Sequence, residues 1–83
     1  MRYLIEIEKR ARKFIASQPR VRQSQILLAI QKLPTTGDIV PLQGRSKTYR
    51  LRVGDYRIVF TRDDKVLKII VVDAGNRGDI YKG

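Results

Sequence analysis

The chain has 83 residues and carries 18 Lys or Arg against 8 Asp or Glu, which gives a formal net charge of +10 at pH 7. Its length fits one domain spanning residues 1–83, and its charge predicts a polyanionic partner. Nucleic acid is the leading candidate, and an acidic protein is a second candidate that does not exclude the first. Because the sequence contains neither Cys nor His and no apolar run long enough to span a membrane, we expect a cytoplasmic protein without membrane contact, disulfides, bound metal or cofactor.

The first part of the chain predicts a strand followed by two helices. Apolar residues alternate over residues 2–7, which is typical of a strand. They then recur at helical spacing over residues 8–17, and again from near Pro19 until Pro34 ends the pattern. The break between the helices is short, so we expect an antiparallel helical hairpin. The side chains that this hairpin is expected to bury are Ala11, Phe14, Ile15, Val21, Ile26, Ala29, Ile30 and Leu33.

Residues 49–60 predict a β-hairpin around a Gly54-Asp55 turn, because Gly supplies the positive φ that a tight hairpin turn requires. Paired residues share a face of the sheet, and successive residues alternate between faces. One face is therefore apolar, and the other carries three arginines and a valine. Three guanidinium groups on one face are suited to bind phosphates. The predicted pairs are Val53 with Tyr56, Arg52 with Arg57, Leu51 with Ile58, Arg50 with Val59, and Tyr49 with Phe60.

The remaining segments complete a predicted two-layer α+β domain of order β-α-α-β-β-β. Residues 35–44 are expected to form a loop with a short extended piece at 39–42. A turn at Asp63-Asp64 would place Arg62 opposite Lys65 and lead into a third strand, residues 65–73. The tail beyond is expected to be a loop, with a short last strand as the alternative. The helical hairpin would cover the apolar face of an antiparallel sheet and leave the arginine face open.

Three segments resemble the RelE/ParE toxin superfamily: Leu42-Gln-Gly44, residues 49–60, and Asn76-Arg77 followed by Ile80-Tyr81. The resemblance covers nearly the whole chain and is to the RelE-like mRNA interferase branch. It implies a toxin of a type II toxin–antitoxin system that cleaves mRNA on the ribosome without a metal. The 2′-hydroxyl of the mRNA would attack the adjacent phosphate. The resemblance also implies a cognate acidic antitoxin, with operator DNA bound only through the toxin–antitoxin complex.

The resemblance implies catalytic roles for Arg50, Arg57, Arg77 and Tyr81. Arg57 matches the arginine at the scissile phosphate, and Arg77 matches an arginine near the leaving group. Tyr81 matches a tyrosine that packs on a base. Arg50 and Thr48 stand where many members have lysines proposed to transfer protons. Since arginine stays protonated, Arg50 is expected to stabilise the phosphorane electrostatically and not to act as a base.

The resemblance leaves the proton acceptor open among Lys47, Tyr81, water and ribosomal RNA. Beyond the catalytic residues, further basic side chains are expected to contact RNA or the ribosome. These are Arg45, Lys47, Arg52, Lys68 and Lys82.

Two other functions remain open from the sequence. The ParE-like branch inhibits DNA gyrase and shares the fold, although Arg50, Arg57, Arg77 and Tyr81 together favour RNA cleavage. A non-catalytic RNA-binding module or degenerate toxin is the third hypothesis, because histidine and the expected lysines are missing.

Overall fold

The computed structural model describes residues 2–76, and they form two helices and five strands. The five strands make one sheet in the order β1-β5-β4-β3-β2. The α+β architecture is therefore confirmed, and the short extended piece expected near residue 39 is an edge strand. The elements in chain order are β1 (Leu4–Ile7), α1 (Lys9–Ala16), α2 (Arg20–Gln31), β2 (Asp38–Pro41), β3 (Thr48–Val53), β4 (Tyr56–Asp63) and β5 (Lys68–Asn76).

The hairpin of β3 and β4 has the predicted register. Arg52 lies opposite Arg57, and the pairs on either side also match the prediction. Gly54 has a φ of 57° at the first turn position, which a residue with a side chain adopts only at a cost. This turn fixes which hairpin residues point towards the helices and which point away.

The connection from β4 to β5 differs from the prediction. Arg62 lies opposite Ile69, so the pairing of Arg62 with Lys65 was wrong. The turn is longer than expected, and Leu67 within it takes a φ of 53°. The observed register differs from the predicted one by an even number of residues, so Ile69 still faces the helices. β5 also continues to Asn76, where the sequence indicated a loop from residue 74 onwards.

The pairing of β1 with β5 is parallel, with Leu4 beside Lys68 and Ile7 beside Val71. The other strand pairs are antiparallel, so the expectation of an antiparallel sheet was wrong for this one pair. Parallel neighbours need a long crossover, and the chain between β1 and β5 includes both helices and three strands. Residue alternation shows which face a side chain occupies, but it does not show strand direction.

The two helices pack on one face of the sheet and bury its apolar side chains. The expected helical residues are buried or packed against this core, with the exception of Val21, which is 70% exposed in the first turn of α2. The Tyr56 hydroxyl donates to the Gln18 side-chain oxygen at 3.0 Å, which ties the hairpin to the junction between the helices. The buried core consists of Ala11, Ile15, Ile26, Ile30, Leu33, Leu51, Ile58, Phe60, Ile69, Val71 and Ala74.

The helices are short. Among residues 2–76, no helix is long and apolar enough to cross a membrane.

Candidate functional site

The arginine cluster, which consists of Arg50, Arg52 and Arg57, lies on the sheet face away from the helices. Arg50 and Arg52 come from β3, and Arg57 comes from the central strand β4. Their neighbours Leu51 and Ile58 point into the core, so alternation directs the arginines to the opposite face. The structure thus brings together the three arginines that the sequence placed on one face.

The three guanidinium groups differ in burial. Arg57 is only 8% exposed, and the Arg50 side chain is 12% exposed, whereas Arg52 is an exposed residue. Less water screens a buried cation, so an anion that reaches Arg57 interacts with it more strongly than with Arg52.

The residues opposite Arg57 differ on its two sides. On the β3 side the opposite residue is Arg52, and on the β5 side it is Gly75. Glycine contributes no side chain, so no cross-strand side chain stands opposite Arg57 on β5. Two cations side by side repel each other, and a shared anion relieves that repulsion.

A β-bulge brings a carboxylate to the arginine face. Phe60 pairs with Val71 while Val59 pairs with Asp73, so Val72 is an extra residue in β5. The extra residue reverses the alternation beyond it and directs Asp73 to the open face. Bulges often redirect side chains near functional sites. Regular alternation would have put Asp73 on the same face as Val71, so no signal in the sequence pointed to this position.

A second carboxylate reaches the arginine cluster from the edge of the sheet. Asp38 of β2 lies opposite Arg52, and its Oδ2 is 3.8 Å from Nη1 of Arg50. Asp38 was not among the predicted site residues. A signal was available, since a strand at residues 38–41 paired with β3 would have put Asp38 on the arginine face.

A family model for the ParE toxin of the type II toxin–antitoxin system parDE matches residues 5–81. The chain belongs to this toxin family. The fold described above is therefore that of a toxin in the RelE/ParE superfamily.

Solved structures of RelE toxins share the fold of this ParE-family toxin. RelE in the RelE–RelB complex from Pyrococcus horikoshii OT3 is 26% identical with a TM-score of 0.76, and the match covers 94% of this chain and 98% of that one. RelE in the antitoxin–toxin complex from Methanococcus jannaschii is also 26% identical, with a TM-score of 0.76 and coverage of 93% and 95%. The isolated E. coli RelE toxin is 21% identical, with a TM-score of 0.71 and coverage of 96% and 92%. No curated protein matches the chain.

Arg50 and Thr48, which stand where relatives were expected to carry lysines, have different environments in this toxin. Arg50 lies in the arginine cluster. Thr48 is 8% exposed, and its hydroxyl donates to the Ser46 carbonyl at 2.9 Å. The Thr48 side chain therefore holds the preceding loop in place.

The loop before β3 carries the exposed residues Arg45 and Lys47. The backbone carbonyl of Lys47 accepts a hydrogen bond from the Arg62 amide at 3.0 Å. Arg62 is five residues along β4 from Arg57, about 17 Å at the rise of a strand. The backbone of Lys47 is thus well separated from the arginine cluster.

Lys68 lies at the far end of the sheet from the arginine cluster, measured along β4. It pairs with Asp63 in the β4–β5 ladder, and its Nζ is 3.2 Å from Oε2 of Glu6. Asp63 is six residues from Arg57 along β4, about 20 Å at the rise of a strand, so Lys68 is not part of the arginine cluster. Three other predicted site residues, Arg77, Tyr81 and Lys82, lie outside the described residues.

A polar cluster of Tyr3, Arg62 and Asp64 was not predicted from the sequence. The Tyr3 hydroxyl and Nε of Arg62 both donate to Oδ1 of Asp64, at 2.7 and 2.6 Å. The hydrogen bond from Arg62 lowers the pKa of Asp64, and the hydrogen bond to Asp64 raises the pKa of Tyr3. The Arg62 guanidinium also stands 5.8 Å from the centre of the Tyr3 ring. This cluster connects the start of β1 to the β4–β5 turn.

Proposed function

We propose that this toxin is a ribosome-dependent, metal-independent endoribonuclease that cleaves mRNA by attack of a 2′-hydroxyl on the adjacent phosphate. The observation that carries the proposal is the arginine cluster, in which cations of graded burial share one open sheet face. Such a surface fits an RNA backbone, since guanidinium groups bind phosphate oxygens with two parallel hydrogen bonds. The likeness to solved RelE structures supports this proposal, because the sequence resemblance to the RelE-like branch implies mRNA as the target.

The chemistry needs charge stabilisation at the phosphorus atom. As the bond from O2′ to phosphorus forms and the bond to O5′ breaks, negative charge builds on the non-bridging oxygens. Arg57 is the most buried cation of the cluster and is proposed to stabilise that charge, with Arg50 beside it. The predicted roles of Arg77 at the leaving oxygen and of Tyr81 on a base complete the proposal.

Proton transfer is proposed to depend on groups beyond the arginine cluster. Arg50 stays protonated, and the Thr48 hydroxyl is engaged with Ser46. The backbone of Lys47 lies about 17 Å along the sheet from Arg57. Tyr81, water or ribosomal RNA would then accept the proton from the 2′-hydroxyl. Ribosomal RNA as the acceptor would give a physical reason for dependence on the ribosome.

The proposed partners are mRNA, the ribosome and an antitoxin, and the proposed location is the cytoplasm. The P. horikoshii and M. jannaschii relatives were solved as complexes of RelE with RelB. A net charge of +10 favours an acidic antitoxin for this toxin. Operator DNA is proposed to bind only through the complex of toxin and antitoxin.

The test is cleavage of mRNA in a purified translation complex, with the 5′ ends of the products mapped by primer extension. We expect cleavage in the ribosomal A site by the wild type and its loss in Arg57→Ala. Lys65→Ala is the matched control, because it also removes one positive charge and Lys65 is exposed in the β4–β5 turn, outside both the arginine cluster and the helices. Absence of cleavage by the wild type, or full cleavage by Arg57→Ala, would contradict the proposal.

Inhibition of DNA gyrase is a second candidate, favoured by the ParE description of the family model that matches residues 5–81. A supercoiling assay with purified gyrase separates the two. Blocked supercoiling together with intact mRNA on the ribosome would replace the first proposal with the second.

A further inference from the structure

The edge strand β2 places one carboxylate beside two members of the arginine cluster. Asp38 lies directly opposite Arg52, and its side chain reaches diagonally to Arg50, with 3.8 Å between Oδ2 and Nη1. The sequence offers no other acidic residue nearby in the preceding chain, since residues 9–37 contain neither Asp nor Glu. Asp38 therefore lowers the positive charge at the β2–β3 side of the arginine face, whereas Asp73 lies on that face at the β5 side.

The Asp38 carboxylate resembles the ligand that the arginine cluster is proposed to bind. Carboxylate and phosphate oxygens both accept charge-assisted hydrogen bonds from guanidinium groups. The two partners differ in exposure, with the Arg50 side chain 12% exposed and the Asp38 side chain 54% exposed. A pair with one partner so exposed is weak, so a phosphate that makes better contacts with Arg50 can displace it.

We propose that Asp38 is an internal competitor for phosphate: it pairs with Arg50 in the free toxin and is displaced when an RNA phosphate binds. The inference rests on the proposed function in one respect, namely that the ligand of the arginine cluster is an RNA backbone. Its consequence is a lower affinity for single-stranded RNA in solution. A substrate that is held in place elsewhere, as on a ribosome, loses less from this competition because its local concentration is high.

A double-mutant cycle on binding tests the competition directly. The probe is a fluorescent single-stranded RNA oligonucleotide with 2′-O-methyl groups throughout, which cannot undergo attack by the 2′-oxygen. We expect Asp38→Asn to bind it about two- to fivefold more tightly than the wild type, which is the range of an exposed ion pair converted to affinity. In an Arg50→Gln background, the added Asp38→Asn substitution should lose this effect.

Asp55→Asn is the matched control, since it makes the same charge change at the exposed tip of the β3–β4 hairpin. Competition predicts a smaller effect for Asp55→Asn than for Asp38→Asn. Equal effects, or an Asp38→Asn effect that persists with Arg50→Gln, would show only the change in net charge and overturn the inference. Weaker binding by Asp38→Asn would also overturn it, because Asp38 would then orient Arg50 for RNA.

The outcome is separable from that of the proposed function. The oligonucleotide assay uses no ribosome and detects no cleavage. A toxin that cleaves mRNA on the ribosome but shows no coupling between Asp38 and Arg50 would refute the competition alone. Failure of the wild type to bind the oligonucleotide would refute it as well, whatever the ribosome assay shows.

Discussion

Arg52 and Arg57 stand opposite each other on one sheet face, yet their surroundings differ. Arg57 is buried on the central strand, whereas Arg52 is exposed on β3. The two arginine side chains therefore lie in different dielectric environments, although they are cross-strand neighbours. Burial strengthens the interaction of Arg57 with an anion and restricts its geometry, while solvent weakens both effects at Arg52.

Substituting lysine separates the charge of these two residues from their hydrogen-bond geometry. Lys keeps the charge but loses the planar fork that grips two phosphate oxygens. We expect Arg57→Lys to lower the single-turnover cleavage rate on ribosomes about 100-fold, as when one oxyanion donor is removed, and Arg52→Lys to lower it less than about tenfold. Quenched-flow measurement with saturating toxin gives both rates. A similar loss of rate in the two variants would show that burial does not decide which arginine contributes more to cleavage.

At the scale of elements, the prediction from sequence succeeded for the hairpin of β3 and β4 and gave the wrong register for that of β4 and β5. The register of the β3–β4 hairpin, from the Val53–Tyr56 pair outwards, follows from one turn in which Gly54 takes a positive φ. The glycine and the alternating residues on either side of it are visible in the sequence. The bulge at Val72 and the parallel pairing of β1 with β5 depend on residues far apart in the chain. Residue alternation carries no information on either, and so Asp73 on the open face was not predicted.

Gly37 is a local feature that positions the edge strand β2. Its φ is 133°, and a Cβ built there would lie 2.7 Å from Cδ1 of the buried Leu51. We expect Gly37→Ala to lower the free energy of unfolding by about 1–3 kcal/mol more than Gly44→Ala does, because the added Cβ overpacks against Leu51 in addition to straining the backbone. Urea denaturation followed by circular dichroism measures it. Gly44→Ala is the control, since Gly44 also has a positive φ, of 77°, but a Cβ added to it would have no atom within 4 Å; an equal loss in both variants would exclude the contact with Leu51 as a cause.

The cluster of Tyr3, Arg62 and Asp64 joins the first strand to the β4–β5 turn and should make stability depend on acid pH. The hydrogen bond from Arg62 lowers the pKa of Asp64 in the folded state. A carboxyl group with a lowered folded pKa stabilises the fold above its unfolded pKa, about 3.9, and loses this effect as the pH falls through the folded value. We expect the difference in thermal midpoint between the wild type and Asp64→Asn to be constant near neutrality and to close below about pH 3.9.

The matched control for that pH series is Asp55→Asn, which makes the same substitution at the exposed hairpin tip, outside the cluster of Tyr3, Arg62 and Asp64. A gap between wild type and Asp64→Asn that persists unchanged into strong acid would contradict the role of the ion pair. The Tyr3 hydroxyl donates to the same oxygen, so Tyr3→Phe should reproduce part of the loss near neutral pH.

At the scale of the whole molecule, both layers are basic. The helical layer has no carboxylate to offset its cations, since residues 9–37 lack Asp and Glu, and the sheet adds the arginine cluster on the other side. A toxin with cations on two opposite faces is suited to a site with polyanion on both sides. The exposed basic residues of the helical layer are Lys9, Arg10, Arg12, Lys13, Arg20, Arg22 and Lys32.

This distribution predicts poor cleavage of RNA without ribosomes. Within residues 2–76, the arginine cluster offers charge stabilisation but no strong base, and a free strand contacts one face at a time. We expect cleavage of naked RNA to be at least about 100-fold slower than on the ribosome, the size of a missing general base. The measurement compares initial rates on the same mRNA with and without ribosomes. Equal rates would show that the toxin supplies its own base.

Salt dependence provides a test of which face holds a single strand. Each phosphate neutralised by a single-stranded ligand contributes about 0.7 to the slope of log affinity against log salt. If the open sheet face holds the strand, Arg52→Ala should reduce that slope by about 0.7, because Arg52 lies within the arginine cluster. Arg20→Ala, on the helical layer, should leave the slope unchanged, although it removes the same charge. Fluorescence anisotropy with an uncleavable oligonucleotide at several KCl concentrations gives both slopes. Equal reductions would mean that the strand is held by net charge alone, without preference for the arginine cluster.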